Sequence, residues 1–252
     1  MEKPEVVVFV PTEEEYKAVR NNLYETDFEN FKARAVLTGP GKISTAAAVA
    51  AEAGRLMAKR PRPALVIGAG LCGSLQMKLA AGEAVVSDSS AIGDWIMEDD
   101  YVRTYGVYGD HTYKALSDEQ AEALAINGGS RIVEELLVRL TAKGFKRGRI
   151  LTIDTYVTGL TGKLERGRLF NCLASDHESG ALGLVALKSL EEVPWLNLRV
   201  VSDTIGEQMG GEGRAVSLPE ILALKLLVLL STFDANFPKG SCANCSNPCC
   251  PV

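Results

Sequence analysis

The sequence predicts an α/β fold: a three-layer α/β/α single domain around a central, mostly parallel mixed sheet. Three observations point to it. Short apolar, β-rich runs recur, and two of them run into glycine-rich segments at residues 39–42 and 68–75, with a helical stretch clearly following the first. The runs at Glu5–Val10 and 198–201 are nearly continuous in apolar residues, as expected of buried strands covered on both faces. A length of 252 residues, 46% hydrophobic and 23% charged, suits one large α/β domain, and no internal repeat or interdomain linker divides it. The folded domain is expected over residues 1–238, with a cysteine-rich tail over 239–252.

The elements follow in order. Glu5–Val10 is a Val-rich strand, and Thr12 opens a helix to about residue 23, with Glu15 completing a capping-box pattern. Residues 33–38 form a strand that ends in Gly39-Pro40-Gly41-Lys42, and the alanine-rich stretch 43–58 forms a helix. Residues 63–67 form a strand entering the glycine-rich turn 68–75, and 83–87 a further strand. Residues 94–114, which include His111, are polar and aromatic without a period and read as a surface excursion bordering a pocket. An amphipathic helix at 128–142, a strand at 149–153 and a short strand at 173–175 come next. Leu182, Val185, Ala186 and Leu190 recur at helical spacing, which puts Glu178 in the first turn of a helix, where free N–H groups favour an ionised carboxylate. The run 198–201 delivers Ser202 and Asp203 to the carboxyl edge of the sheet, where ligands bind in open α/β folds. Residues 206–214, with four glycines and two acids, suit a mobile loop beside a cleft. The last helix spans 218–231, with Pro219 in its first turn.

Composition narrows the chemistry. A net charge of −5 gives no footprint for nucleic acid or an acidic membrane surface. No apolar run spans a bilayer, since 221–230 is short and contains Lys225, and the opening residues lack the pattern of a signal peptide, so a cytoplasmic protein is expected. Cys72 and Cys172 lie in apolar surroundings and read as inert buried thiols. Cys242, Cys245, Cys249 and Cys250 crowd the last eleven residues with a spacing that zinc or an iron–sulfur cluster accepts. The cluster has no second half and no histidine and sits at a terminus, so it is read as a mobile redox-sensitive tail; no metal and no cofactor are expected. Two histidines exclude a histidine-rich metal site and leave few candidates for a Ser-His-Asp triad. Gly68-x-Gly70-x-x-Gly73 matches the dinucleotide fingerprint in letters, with Asp88 at the ribose-binding distance. It stands third in strand order, however, and leaves little room for a crossover helix. What remains is carboxylate chemistry from Glu13, Glu14, Glu15, Glu178 and Asp203. All fall at strand carboxyl ends, and acids with separated pKa values suit glycosidic cleavage.

Six motifs then appear in a fixed order: Phe9-Val-Pro-Thr-Glu-Glu-Glu15, Thr38-Gly-Pro-Gly-Lys42, Gly70-Leu-Cys-Gly-Ser-Leu75, Gly82-Glu-Ala-Val-Val-Ser-Asp88, Asp176-His-Glu178 and Arg199-Val-Val-Ser-Asp203. Their order resembles the nucleoside phosphorylase/nucleosidase superfamily over residues 5–232, and within it most the methylthioadenosine/S-adenosylhomocysteine nucleosidases. The resemblance implies a catalytic domain over 1–238 that cleaves a purine nucleoside. Asp203 would protonate N7 of the leaving base, Glu178 would hold the ribose hydroxyls, and Glu15 would orient the attacking water. Arg199 would pair with the acids, Tyr156 would stack on the base and the Val157 backbone would meet its edge. Pro40, Leu71, Gly73 and His177 would line the pocket, and a homo-oligomer, dimer or higher, would be the working form.

The departures from that pattern matter. Gly68 stands where phosphorylases carry an arginine, and Pro11-Thr12 leads straight into glutamates where a second arginine is usual, so water is favoured over phosphate as nucleophile. Leu71 replaces a serine and His177 a methionine. Tyr156-Val-Thr-Gly159 resembles futalosine hydrolases, which rank second, although they often carry asparagine where Asp203 stands. A phosphorylase using Arg149 or Lys42 as its cation, and a non-catalytic nucleoside-binding module, are the other readings.

Overall fold

Val6, Val8 and Val10 of the first strand pack into one core and Val7 and Phe9 into another, so alternate side chains of a single strand are buried on opposite faces. That is the signature of a strand covered by helices on both sides. A computed structural model describes residues 2–59, 61–93, 125–128, 130–157, 159–190, 193–205 and 216–237. The elements are β1 (Glu5–Val10), α1 (Glu13–Tyr24), β2 (Lys32–Leu37), α2 (Lys42–Ala58), β3 (Leu65–Ser74), β4 (Ala84–Ser87), β5 (Ser89–Ile92) and β6 (Ala125–Asn127). They continue with α3 (Arg131–Ala142), β7 (Lys146–Arg147), β8 (Arg149–Thr152), α4 (Leu160–Leu169), β9 (Cys172–Asp176), α5 (Ser179–Ser189), β10 (Trp195–Asp203) and α6 (Leu218–Ala235).

The strands form one mixed sheet, with parallel pairing in β1–β2, β1–β3, β3–β10, β4–β7, β5–β8 and β8–β9 and antiparallel pairing in β4–β10, β3–β9 and β5–β6. Apolar stripes of α1, α3 and α6 cover one face, and those of α2 and α5 cover the other, giving the expected three layers. The sheet forks at β3. Leu65 to Gly68 pair with β1, whereas Gly73 and Ser74 pair with β9, so the intervening edge of β3 has no strand beside it. That opening positions the site.

Two expectations need correction. Residues 68–74 form no glycine-rich turn, because β3 runs through them without interruption. The glycines serve close packing instead: a Cβ on Gly68 would stand 2.4 Å from Asn197 Oδ1, and one on Gly70 would stand 2.8 Å from Arg199 Nη1. The strand ending at Asp203 is also longer than its apolar run, starting at Trp195 with the buried polar Asn197 and Arg199 inside it. Helix α4 and the short strands β5, β6 and β7 were not anticipated. The excursion at 94–114, the loop at 206–214 and the tail at 239–252 lie outside the described residues. Among the described residues no helix is long and apolar enough to cross a membrane, and no cluster of three or more His, Cys, Asp or Glu is arranged to hold a metal. Cys72 and Cys172 are buried free thiols, and burial pushes both upward in pKa.

Candidate functional site

A cleft of about 510 Å³ opens at the carboxyl ends of β1, β3, β8, β9 and β10. Its described lining includes Glu13, Glu14, Glu15, Asp176, Glu178 and Asp203 but no lysine or arginine. Pro40, Leu71, Gly73, Tyr156, Val157 and His177 also line it. Of the residues to which the family resemblance gives a role in the site, Arg199 alone does not; it lies fully buried behind the wall.

Glu15 is placed by its own helix end and by the fork in the sheet. The α1 capping box is present: Thr12 N donates to Glu15 Oε2 (3.1 Å) and Glu15 N to Thr12 Oγ1 (3.3 Å). The second carboxylate oxygen accepts from Leu71 N (2.8 Å), a donor on the strandless edge of β3. Glu15 is thus buried with both oxygens engaged, whereas its neighbours Glu13 and Glu14 are exposed.

At the end of β9, Asp176 is buried and ties three elements together. It accepts from Thr152 Oγ1 (2.7 Å), Ser179 N (3.0 Å) and Arg199 Nε (2.6 Å). Asp176 was not singled out in the sequence, although it is the first residue of the Asp176-His-Glu178 motif. Burial opposes the charge of Arg199, but Asp176 and Glu178 outweigh it and hold the guanidinium more firmly protonated than usual.

Glu178 is the N-cap of α5 rather than a residue of its first turn, and its side chain makes no cap to that helix. Its Oε1 accepts from Gly41 N (2.9 Å), and its Oε2 lies 3.8 Å from Arg199 Nη2. The helix start does not decide its pKa. Burial, reinforced by the neighbouring Asp176 charge, raises its carboxyl above the ordinary value, against the pull of Arg199, Gly41 N–H and His177. The consequence for stability has a definite sign. With the folded pKa raised, the stabilising contribution is complete below the unfolded value near 4.5 and is lost as pH rises through the folded value. Glu178→Gln cannot ionise, so its melting temperature relative to wild type is expected to climb with pH from that value upward. Thermal melts across a pH series check this; a difference independent of pH contradicts it.

His177 Nδ1 donates to Ile153 O (2.5 Å), so that nitrogen carries a proton and Nε2 is the one through which the ring can meet a ligand. The Tyr156 ring meets it edge-on at 5.0 Å and is 71% exposed, so Tyr156 stands at the cleft's rim and not in a core.

Asp203 ends β10 beyond a bulge: Val201 pairs with Cys72 and Asp203 with Gly73, leaving Ser202 as the extra residue. Such bulges re-aim side chains, and this one brings the carboxylate into the cleft. A Cβ on Gly73 would sit 3.1 Å from Asp203 Oδ2, close enough that the acid would have to shift by a few tenths of an ångström. Ser202 Oγ lies 2.8 Å from Asp203 Oδ1, and Lys163 Nζ forms an ion pair with Oδ2. Lys163 had no sequence signal. The two cations considered for phosphate are elsewhere: Lys42 pairs with Asp154 (2.9 Å), Arg149 Nε donates to Ser89 Oγ (3.0 Å), and neither lines the cleft.

The phosphorylase superfamily model matches residues 5–221. No curated protein matches the chain. Among solved structures, the chain is similar to a 5′-methylthioadenosine/S-adenosylhomocysteine nucleosidase of Helicobacter pylori, at 17% identity and TM-score 0.68 over 92% of this chain and 99% of that one. It is also similar to an S-adenosylhomocysteine nucleosidase of Streptococcus pyogenes, at 19% identity and TM-score 0.66 over 94% and 99%. A futalosine hydrolase of Helicobacter pylori is similar at 18% identity and TM-score 0.66 over 91% and 97%.

Proposed function

Because the chain belongs to the phosphorylase superfamily, we propose that it hydrolyses the N-glycosidic bond of a purine nucleoside, with a 5′-modified adenosine such as methylthioadenosine the favoured substrate. The observation that carries this reading is the charge of the cleft. Among its described lining residues there are six acids and no lysine or arginine. Lys163 and Arg199 stand behind that wall of acids, committed to Asp203 and Asp176, so none of the described lining residues offers a phosphate dianion a cation, while the acids stabilise the cationic sugar that forms as the base departs. Water is the nucleophile such a site tolerates.

The roles are those the family resemblance implies. Asp203 gives a proton to N7, so that the base leaves neutral. Glu178, with Arg199 behind it, accepts the ribose hydroxyls. Glu15 orients water toward C1′ from the β1 side of the cleft, its oxygens set by Thr12 and Leu71 N. Tyr156 offers its exposed ring to the base and Val157 its backbone. His177, in place of a methionine, brings a polar nitrogen beneath the sugar. A second reading, hydrolysis of a 6-oxopurine nucleoside such as futalosine, is favoured by the Tyr156-Val-Thr-Gly159 sequence and by the similarity to a futalosine hydrolase.

Base release from methylthioadenosine, adenosylhomocysteine, adenosine, inosine and futalosine, with and without phosphate, tests both. Turnover that ignores phosphate is expected, and the preferred base separates the two readings. Turnover only with phosphate refutes hydrolysis, and ligand binding without any turnover leaves a binding module.

A further inference from the structure

The inward face of α4 holds Lys163, Gly167 and Leu169, and a lysine on a buried helix face requires a partner. Gly167 explains how the helix comes so close to β3: a Cβ there would stand 2.7 Å from Leu75 O. The approach carries the Lys163 ammonium, 7% exposed, onto Asp203 Oδ2, and the same nitrogen donates to Thr204 O (3.1 Å). Asp203 thus has a cation on one oxygen and the Ser202 hydroxyl beside the other. Oδ2 is thus occupied by the ammonium, yet the hydrolase reading asks this carboxylate to protonate a base. The nearest proton is on Lys163.

We propose that Lys163 and Asp203 act as one proton donor, with Lys163 the positioning residue that supplies through Asp203 the proton the base takes. This rests on the hydrolase reading above. As the C1′–N9 bond breaks, its electron pair passes to the purine. The Lys163 ammonium passes a proton to Asp203 Oδ2, and the carboxyl so formed gives a proton to N7. The carboxylate ends as it began, Lys163 is left as the neutral amine, and solvent reprotonates it after the base has gone. The water that attacks C1′ releases one proton, so the turnover balances.

The test uses two substrates and two variants. A purine nucleoside needs a protonated leaving group, whereas a nitrophenyl riboside releases a stable phenolate without one. Lys163→Met removes the charge; Lys163→Arg keeps it but cannot give up a proton. Both variants are expected to lose about a hundredfold in kcat on the purine nucleoside, the lower end of what a general acid contributes, with KM little changed. On the nitrophenyl riboside the loss is expected to be at least tenfold smaller. Wild-type rates in Lys163→Arg overturn the proposal, since a fixed charge then suffices. Equal losses on both substrates overturn it too, and reduce Lys163 to a pin between α4 and β10. Both of those results leave the hydrolase reading standing; a wild-type protein that turns over neither substrate removes the reading and this inference together. Thermal melts show that each variant is folded, and Lys163→Gln replaces either one that is not.

Discussion

Asp203→Asn is expected to lower purine release by about a thousandfold, within the range that general acids contribute. The amide is close to isosteric and its oxygen can still accept from Lys163, but it has no proton to pass to N7. The substitution also has a structural cost. Lys163 is 7% exposed and would be left beside a neutral partner, and breaking a buried ion pair from one side leaves an uncompensated charge. A loss of activity alone would therefore be ambiguous. The double variant Asp203→Asn with Lys163→Met separates the two effects, because it removes both charges at once. Its melting temperature should recover most of what Asp203→Asn loses, while purine release stays at the single variant's level. Recovery of turnover along with stability would show that Asp203 only anchors α4, and the hydrolase reading would lose its acid.

Much of this architecture is legible in the chain because its strands are buried on both faces. Val6 to Val10 need no tertiary information to be read as a strand, and Thr12 with Glu15 spells out a helix start that the structure contains. The candidate site was legible as a set of strand ends, since a parallel sheet brings its carboxyl ends to one edge whatever the loops between them do. What could not be read has specific causes. Helix α4 carries two glycines and turns a lysine inward, so it lacks the apolar period that announces a helix, and Lys163 was lost with it. Glycine at 68, 70 and 73 suggests a turn, but the contacts that favour it come from Asn197, Arg199 and Asp203, all on a strand over a hundred residues later. The Glu178 carboxyl shifts opposite to the direction its helix start suggests, because burial and Asp176 decide the balance. The glycine contacts and the shift of Glu178 are long-range effects with no local trace.

Arg199→Met is expected to destabilise the protein by about 3–5 kcal/mol, the range for removing one partner from a buried ion pair. The reason lies in the company Arg199 keeps. Its side chain is 1% exposed, Asp176 is fully buried beside it, and Glu178 is 9% exposed. Methionine fills much of the volume but leaves those two carboxylates without the cation set between them, and Glu15, which also acts on Arg199 electrostatically, adds to the repulsion. For a domain of this size the loss corresponds to a fall of roughly 10 °C in Tm. The pH dependence identifies the cause. Arg199 is one of the influences that restrain the upward shift of Glu178, so without it that carboxyl binds its proton more tightly in the folded state. Extra proton binding by the folded state adds stability at low pH that disappears as pH rises. The gap between Arg199→Met and wild type should therefore be widest at neutral pH and should close toward pH 5. Urea unfolding at both pH values measures it. A gap below about 1 kcal/mol, or one that ignores pH, would mean that Asp176 keeps its place through Thr152 and Ser179 alone, and that Arg199 serves the ribose rather than the fold.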